Sequence, residues 1–186
     1  MSQTTERAIA AALKKLLQQK PLNKITISDI ANECGINRMT FYYHFKDIYD
    51  LIEWMCTEEA KQSLEGNESV ENWQQGMLNL LHALLDDKPF IMEIYHSVSR
   101  EQIEIYCYRV IYALFKKVID DVSVDMNVSE EDKKFIVDIY KYAMAGMLLA
   151  WIGNGMKESP EYLVGKAETF LHGDFKRGLE RFNKPE

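Results

Sequence analysis

Apolar residues return at intervals of three and four along nearly the whole chain, and no stretch sustains the every-other-residue alternation of a half-buried strand. The pattern predicts an all-α fold of about nine helices. Ile9, Leu13, Leu16 and Leu17 make the first stripe, and Pro21 in "QKPLNK" ends it because proline cannot continue a helix. Thr26 is placed to cap a second helix, with Asp29 facing the open amides of its first turn and Gly35 closing it in a left-handed conformation. Asn37 then caps a third helix, with Ile36 and Phe41 as a hydrophobic staple across its start.

Longer helices are predicted over residues 48–64, 70–86, 90–98, 101–121, 130–153 and 160–181. The connectors "EGNES", "DDKP", "VDMNVSEED" and "GNGMKESPE" separate them, and Ser129 with Asp132, then Ser159 with Pro160, mark the last two starts. There is no repeat, low-complexity tract or flexible linker.

At 186 residues, 47% hydrophobic and 27% charged, the chain can bury a core without disulfides or metal. Its three cysteines, Cys34, Cys56 and Cys107, are odd in number and lie in apolar surroundings, which fits reduced thiols and a cytoplasmic protein. The opening "MSQTTERAIAAALKK" lacks an apolar signal core, and the longest apolar run, Ala143 to Gly153, is shorter than the ~20 residues of a membrane span, so no membrane partner is expected.

The net charge of −7 conceals a division. Residues 1–46 carry +4 and residues 47–186 carry −11, the sign changing where the third helix ends. This places a basic head at 1–46 and an acidic body at 47–186, and a basic head favours a polyanionic partner.

Within "ISDIANECGINRMTFYYHF", small Ala31, Gly35 and Phe41 have helix-turn-helix spacing: Ala31 permits close helix approach, Gly35 takes the turn and Phe41 locks the pair to the core. At roughly 100° per residue, Phe45 returns to the side of Phe41 while Met39 and Tyr43 point away, flanked by Thr40 and Tyr42. Arg38 lies at the N-terminal end, where a recognition helix meets base edges, and Tyr and His can donate hydrogen bonds to phosphate. Double-stranded DNA is the expected partner.

The segment "ITISDIANECGINRMTFYYHFKDIYDLIEWM", residues 25–55, resembles the TetR/AcrR family of transcriptional regulators, with "TFYYHF" as its most specific part. The resemblance implies that Thr26 and Ser28 lie near the DNA backbone, that Arg38, Met39 and Thr40 face bases, and that Tyr42, Tyr43 and His44 engage phosphates. The chain departs from the pattern at Ile48, where such proteins usually place a lysine; Lys46 lies two residues earlier. Residues 143–164 are similar to the C-terminal domain of the subgroup containing the dihydroxyacetone kinase operon activator, which implies activation or response to a protein co-regulator as an alternative.

A single helix-turn-helix reads few base pairs, so a homodimer on half-sites about 34 Å apart is expected. The last two helices offer apolar faces including Tyr142, Gly146, Met147, Ala150, Leu163, Ala167, Phe170 and Leu171. The resemblance assigns them to a four-helix bundle across the dimer axis; packing inside one subunit is the alternative. Trp73, Met77, Tyr95, Tyr106, Cys107, Tyr112 and Tyr140 are candidate lining for a small-molecule effector, although aromatics at helical spacing more often serve the core.

Catalysis is the contrasting reading. Glu93-x-x-His96 has the spacing of carboxylate-bridged metal bundles, but such a site needs a second copy and Glu168 to His172 is one residue longer. No phosphate loop, nucleophile elbow or HExxH is present, so neither enzyme activity nor a metal or other cofactor is expected. A helical interaction protein whose head has lost DNA binding is a third reading, raised by Ile48.

Overall fold

Residues 2–184, which the computed structural model describes, form ten α-helices and one 3₁₀ turn, with no strand among them. The head consists of α1 (Ser2–Leu17), α2 (Ile27–Cys34) and α3 (Arg38–His44), with the 3₁₀ turn Leu22–Lys24 between α1 and α2. The body runs through α4 (Ile48–Leu64), α5 (Trp73–Asp86), α6 (Lys88–Ser97), α7 (Arg100–Val122), α8 (Glu130–Gly153), α9 (Pro160–Leu171) and α10 (Asp174–Glu180).

Local chemistry sets the helix starts. Ser129 Oγ accepts the Asp132 N–H at 3.1 Å, and Ser159 Oγ accepts the Tyr162 N–H at 3.2 Å, satisfying amides that have no partner within the helix. The helix expected from residue 70 begins instead at Trp73, because Asn72 Oδ1 binds the Ser69 N–H and hydroxyl at 2.9 and 2.8 Å and holds 69–72 as a turn. The helix expected over 160–181 is divided at Gly173, whose φ of 73° suits a residue without a β-carbon. That bend carries Phe175 onto Trp73, their ring centroids 5.9 Å apart and edge to face.

Two apolar clusters make the core. One surrounds Trp73 and Phe115 and is built from α4, α5 and α7 to α10. The other surrounds Phe41 and joins Ile9, Leu13 and Ile30 of the head to Leu51 and Ile52 of α4, then continues into Phe90 and Ile94 of α6 and Leu149 of α8. The head is therefore packed directly on α6. Leu22 N–H also donates to Glu93 Oε1 at 2.9 Å, a second tie between the head and α6.

α8 is the one described helix long and apolar enough to cross a membrane, a property the run Ala143 to Gly153 alone does not reveal. One side of it, including Met144, Ala145, Leu148 and Trp151, lies in the core. The other side is exposed.

Replacing Gly35 by Ala should lower stability by about 1 kcal/mol, since an added β-carbon would meet nothing within 4 Å and the whole cost lies in the φ of 72°. Gly165→Ala, at a helical position with the same open space, should raise stability by roughly 0.5–1 kcal/mol. Urea melts of both variants check the pair of opposite signs.

Candidate nucleic-acid interface

The two head helices are too short to persist alone, so their ends are secured individually. Thr26 Oγ1 accepts the Asp29 N–H at 3.1 Å, and Asp29 Oδ2 accepts the Thr26 N–H at 2.8 Å, a reciprocal capping box. Lys20 Nζ lies 2.9 Å from the same Asp29 oxygen. Lys20 first, and then Thr26, pull the Asp29 carboxyl down from an ordinary 3.8 to about 2. Gly35 turns the chain, the Ile36 N–H returns to the Ala31 carbonyl at 2.9 Å, and Asn37 Oδ1 takes the Thr40 N–H at 2.8 Å to start α3.

Phe41 and Phe45 are 0% and 3% exposed, so the orientation of α3 is fixed from beneath. Met39 and Tyr43 on the opposite side are 75% and 85% exposed, and Tyr42 and Arg38 stand beside them in solvent. Arg38 Nη2 donates to Tyr42 Oη at 3.5 Å. Thr40 is half-buried, its hydroxyl 3.2 Å from Asn37 Oδ1, and Ser28 is half-buried on α2. Lys46 is exposed, while its backbone N–H donates to Asp50 Oδ2 at 2.8 Å.

His44 does not join this row. Its side chain is 8% exposed, and Nδ1 lies 3.3 Å from Glu6 Oε1 on α1, so the imidazole ties α3 to the helix behind it and is turned away from any phosphate on the outer face. At Ile48, the N-terminus of α4 is closed by carboxylates: Asp47 Oδ1 accepts the Asp50 N–H at 2.9 Å.

The head's charges sort themselves. Its three acids all have basic partners within the head: Glu6 with His44, Asp29 with Lys20, and Glu33 with Lys15. Lys14 pairs with Asp87 at the start of α6. Arg7, Lys24, Arg38 and Lys46 stand exposed outside the ion pairs seen among the described residues.

Of the seven candidate effector residues, Tyr95, Tyr106 and Cys107 line one cavity of about 100 Å³, together with Met55, Cys56, Phe90, Ile94 and Leu148 among others. The remaining four do not line it. Trp73 is buried against Phe115 and Phe175, and Tyr140 stacks on Phe115 at 5.6 Å. Met77 faces a smaller void beside α9, and Tyr112 lies under the Lys141 ammonium at 5.8 Å. Aromatics at helical spacing here serve the core.

A family model described as "Bacterial regulatory proteins, tetR family" matches residues 8–55, and one described as "Transcriptional regulator C-terminal region" matches residues 71–173, more than half of the chain. The chain belongs to the TetR family. It is 31% identical over 91 residues to the HTH-type dhaKLM operon transcriptional activator DhaS of Lactococcus lactis, a match covering 49% of each. It is 26% identical over 176 residues to the HTH-type transcriptional regulator YxbF of Bacillus subtilis, covering 90% of this chain and 44% of YxbF. The matches thus span about half the length of these curated relatives. Among solved structures, that of the dihydroxyacetone kinase operon activator DhaS superposes with a TM-score of 0.69 at 25% identity, covering 97% of this chain and 98% of that one. The TetR family repressor AlkX from Dietzia sp. shares the fold, with a TM-score of 0.57 at 15% identity over 92% of this chain and 95% of AlkX.

In this TetR-family chain Tyr142, Gly146, Met147 and Ala150 all lie exposed on one face of α8, continuous with exposed Phe135, Ile139 and Ala143. On α9, Phe170 is 79% exposed. Leu163 is half-buried. Ala167 and Leu171, expected on the same face, instead pack into the subunit's own core with Val164, because their turn of α9 faces α5.

The depressed Asp29 carboxyl makes the head's stability acid-sensitive in a defined direction. The folded state binds this proton less readily than the unfolded chain, so the contribution is complete above an ordinary 3.8 and is lost as pH falls toward about 2. The stability deficit of Asp29→Ala relative to the native chain should be constant near neutral pH and shrink below pH ~4. Thermal melts across pH measure it.

Proposed function

We propose that the chain regulates transcription as a homodimer that reads a two-fold symmetric operator, with residues 1–46 as the DNA-binding head and residues 47–186 as the effector-binding and dimerisation body. The observation that carries the reading is the pair Met39 and Tyr43, held in water on a helix that buried Phe41 and Phe45 fix from the opposite side. Arg38, Met39 and Thr40 are assigned to base edges in the major groove; Tyr42, Tyr43, Lys46, Thr26 and Ser28 are assigned to the phosphate backbone. His44 is assigned to neither, because its side chain faces Glu6. The exposed apolar face of α8, with Phe170 of α9, is assigned to the second copy, and the cavity beneath α6 to an effector.

The likeness to DhaS, named as an activator, supports activation as a second reading over repression. A reporter placed behind the selected operator separates them by the sign of its response.

Selection from degenerate duplex DNA should return a palindrome. Arg38→Ala should weaken binding to it by roughly 10- to 100-fold and relax the base preference at one position per half-site, read by gel shift. Affinity of the native chain should fall steeply with salt; failure to select any sequence, even at low ionic strength, would sink the reading. Met147→Asp should shift the sedimentation coefficient from dimer to monomer and reduce operator affinity while leaving the helical circular dichroism unchanged.

A further inference from the structure

Arg7, Ala10 and Lys14 follow one stripe of α1, and Trp54, Glu58 and Gln62 follow one stripe of α4. The two stripes line an open cleft of about 480 Å³, within the range of about 300–1,000 Å³ usual for small-molecule sites. Met55 lines it too, and separates it from the cavity beneath α6.

The charges of the cleft divide by wall. α1 contributes Arg7 and Lys14, while α4 contributes Glu58 and Glu59. Lys14 is committed elsewhere, paired with Asp87 and lying 5.1 Å over the Phe90 ring. Arg7, Glu58, Glu59 and Gln62 make no hydrogen bond or ion pair among the described residues, although opposite charges border the same cleft. The gap between them is wider than an ion pair. The apolar part of the lining is Ala10, Met55 and Trp54, whose half-buried indole is held edge to face against Phe45 at 5.7 Å.

We propose that this cleft binds a free α-amino acid with an apolar or aromatic side chain, in its zwitterionic form: the carboxylate on Arg7, the ammonium on Glu58 and Glu59, and the side chain against Trp54. Both charges are required. An anion alone would meet two carboxylates and a cation alone would meet Arg7, whereas a molecule carrying both presents each wall with its opposite. The planar guanidinium suits a carboxylate because it donates two parallel hydrogen bonds. An ammonium has three donors, enough for the two glutamates and the Gln62 amide oxygen. Ala10, between Arg7 and Lys14, leaves the middle of the α1 wall with nothing beyond a β-carbon, and there an aromatic side chain can lie on the indole. None of this rests on the DNA-binding reading.

The test uses the full chain without DNA, at neutral pH and low ionic strength, where attraction between partly exposed charges is least screened. The probes are L-phenylalanine, 3-phenylpropionate, which lacks the ammonium, phenethylamine, which lacks the carboxylate, and glycine, which lacks the ring. Calorimetry should show saturable binding of phenylalanine, with each of the other three weaker by about tenfold or more. Arg7→Met should weaken phenylalanine by about tenfold while phenethylamine binds no worse. The double variant Glu58→Gln with Glu59→Gln should weaken phenylalanine while 3-phenylpropionate binds no worse. A loss of folding would not produce that crossed pattern, and the helical circular dichroism of both variants should match the native chain. No saturable binding of phenylalanine, equal binding of either singly charged probe, or binding unchanged in both variants overturns the proposal. Glycine binding as tightly as phenylalanine overturns the part given to Trp54. A chain that binds phenylalanine in this way but selects no operator refutes the proposed function alone.

Discussion

The burial of the Phe41 ring decides what α3 presents to water. A helix of seven residues closes too few backbone hydrogen bonds to persist by itself, so its existence and its rotation about its own axis both come from the side chain it inserts into the head. Phe45 adds a second fixed point one turn later and meets Trp54 of α4 edge to face at 5.7 Å, joining the end of α3 to the first helix of the body. Once those two rings are placed, helical geometry leaves Met39 and Tyr43 no inward direction. The outward row follows from what lies beneath it.

Charge acts on a longer scale with the same polarity. Each acid of the head is neutralised locally, so the exposed cations set the potential around α3, while the −11 of the remaining residues repels a polyanion from every other approach. A body of this sign does not weaken the head's attraction greatly at cellular salt, because the Debye length is about 8 Å.

Features set by neighbours in sequence were legible without coordinates: the caps at Thr26, Asn37, Ser129 and Ser159 and the turn at Gly35 each depend on atoms three to five residues apart. His44 was not legible as an α1 contact, because its partner Glu6 lies 38 residues away and helical phase places the imidazole on the margin between buried and exposed. The cavity was half legible for a related reason. Periodicity identifies Trp73 and Tyr140 as apolar-facing residues but cannot say whether another ring fills the space before them, and here Phe115 and Phe175 do. Phe90 and Ile94, which do line it, carried no signal beyond an ordinary helix stripe. The break at Gly173 was missed by the single helix expected over 160–181, because the apolar stripe continues through the glycine that bends the chain.

At its far end α8 leaves no room for a β-carbon at Gly153, where one would come 2.6 Å from the Tyr95 phenol oxygen. Two residues on, the Gly155 carbonyl accepts the Lys88 ammonium at 2.6 Å. α6 is thus fastened near both of its ends to the corner that terminates α8. Tyr95 also lines the internal void, so a larger residue at Gly153, at the end of α8, would have to displace part of that void's wall.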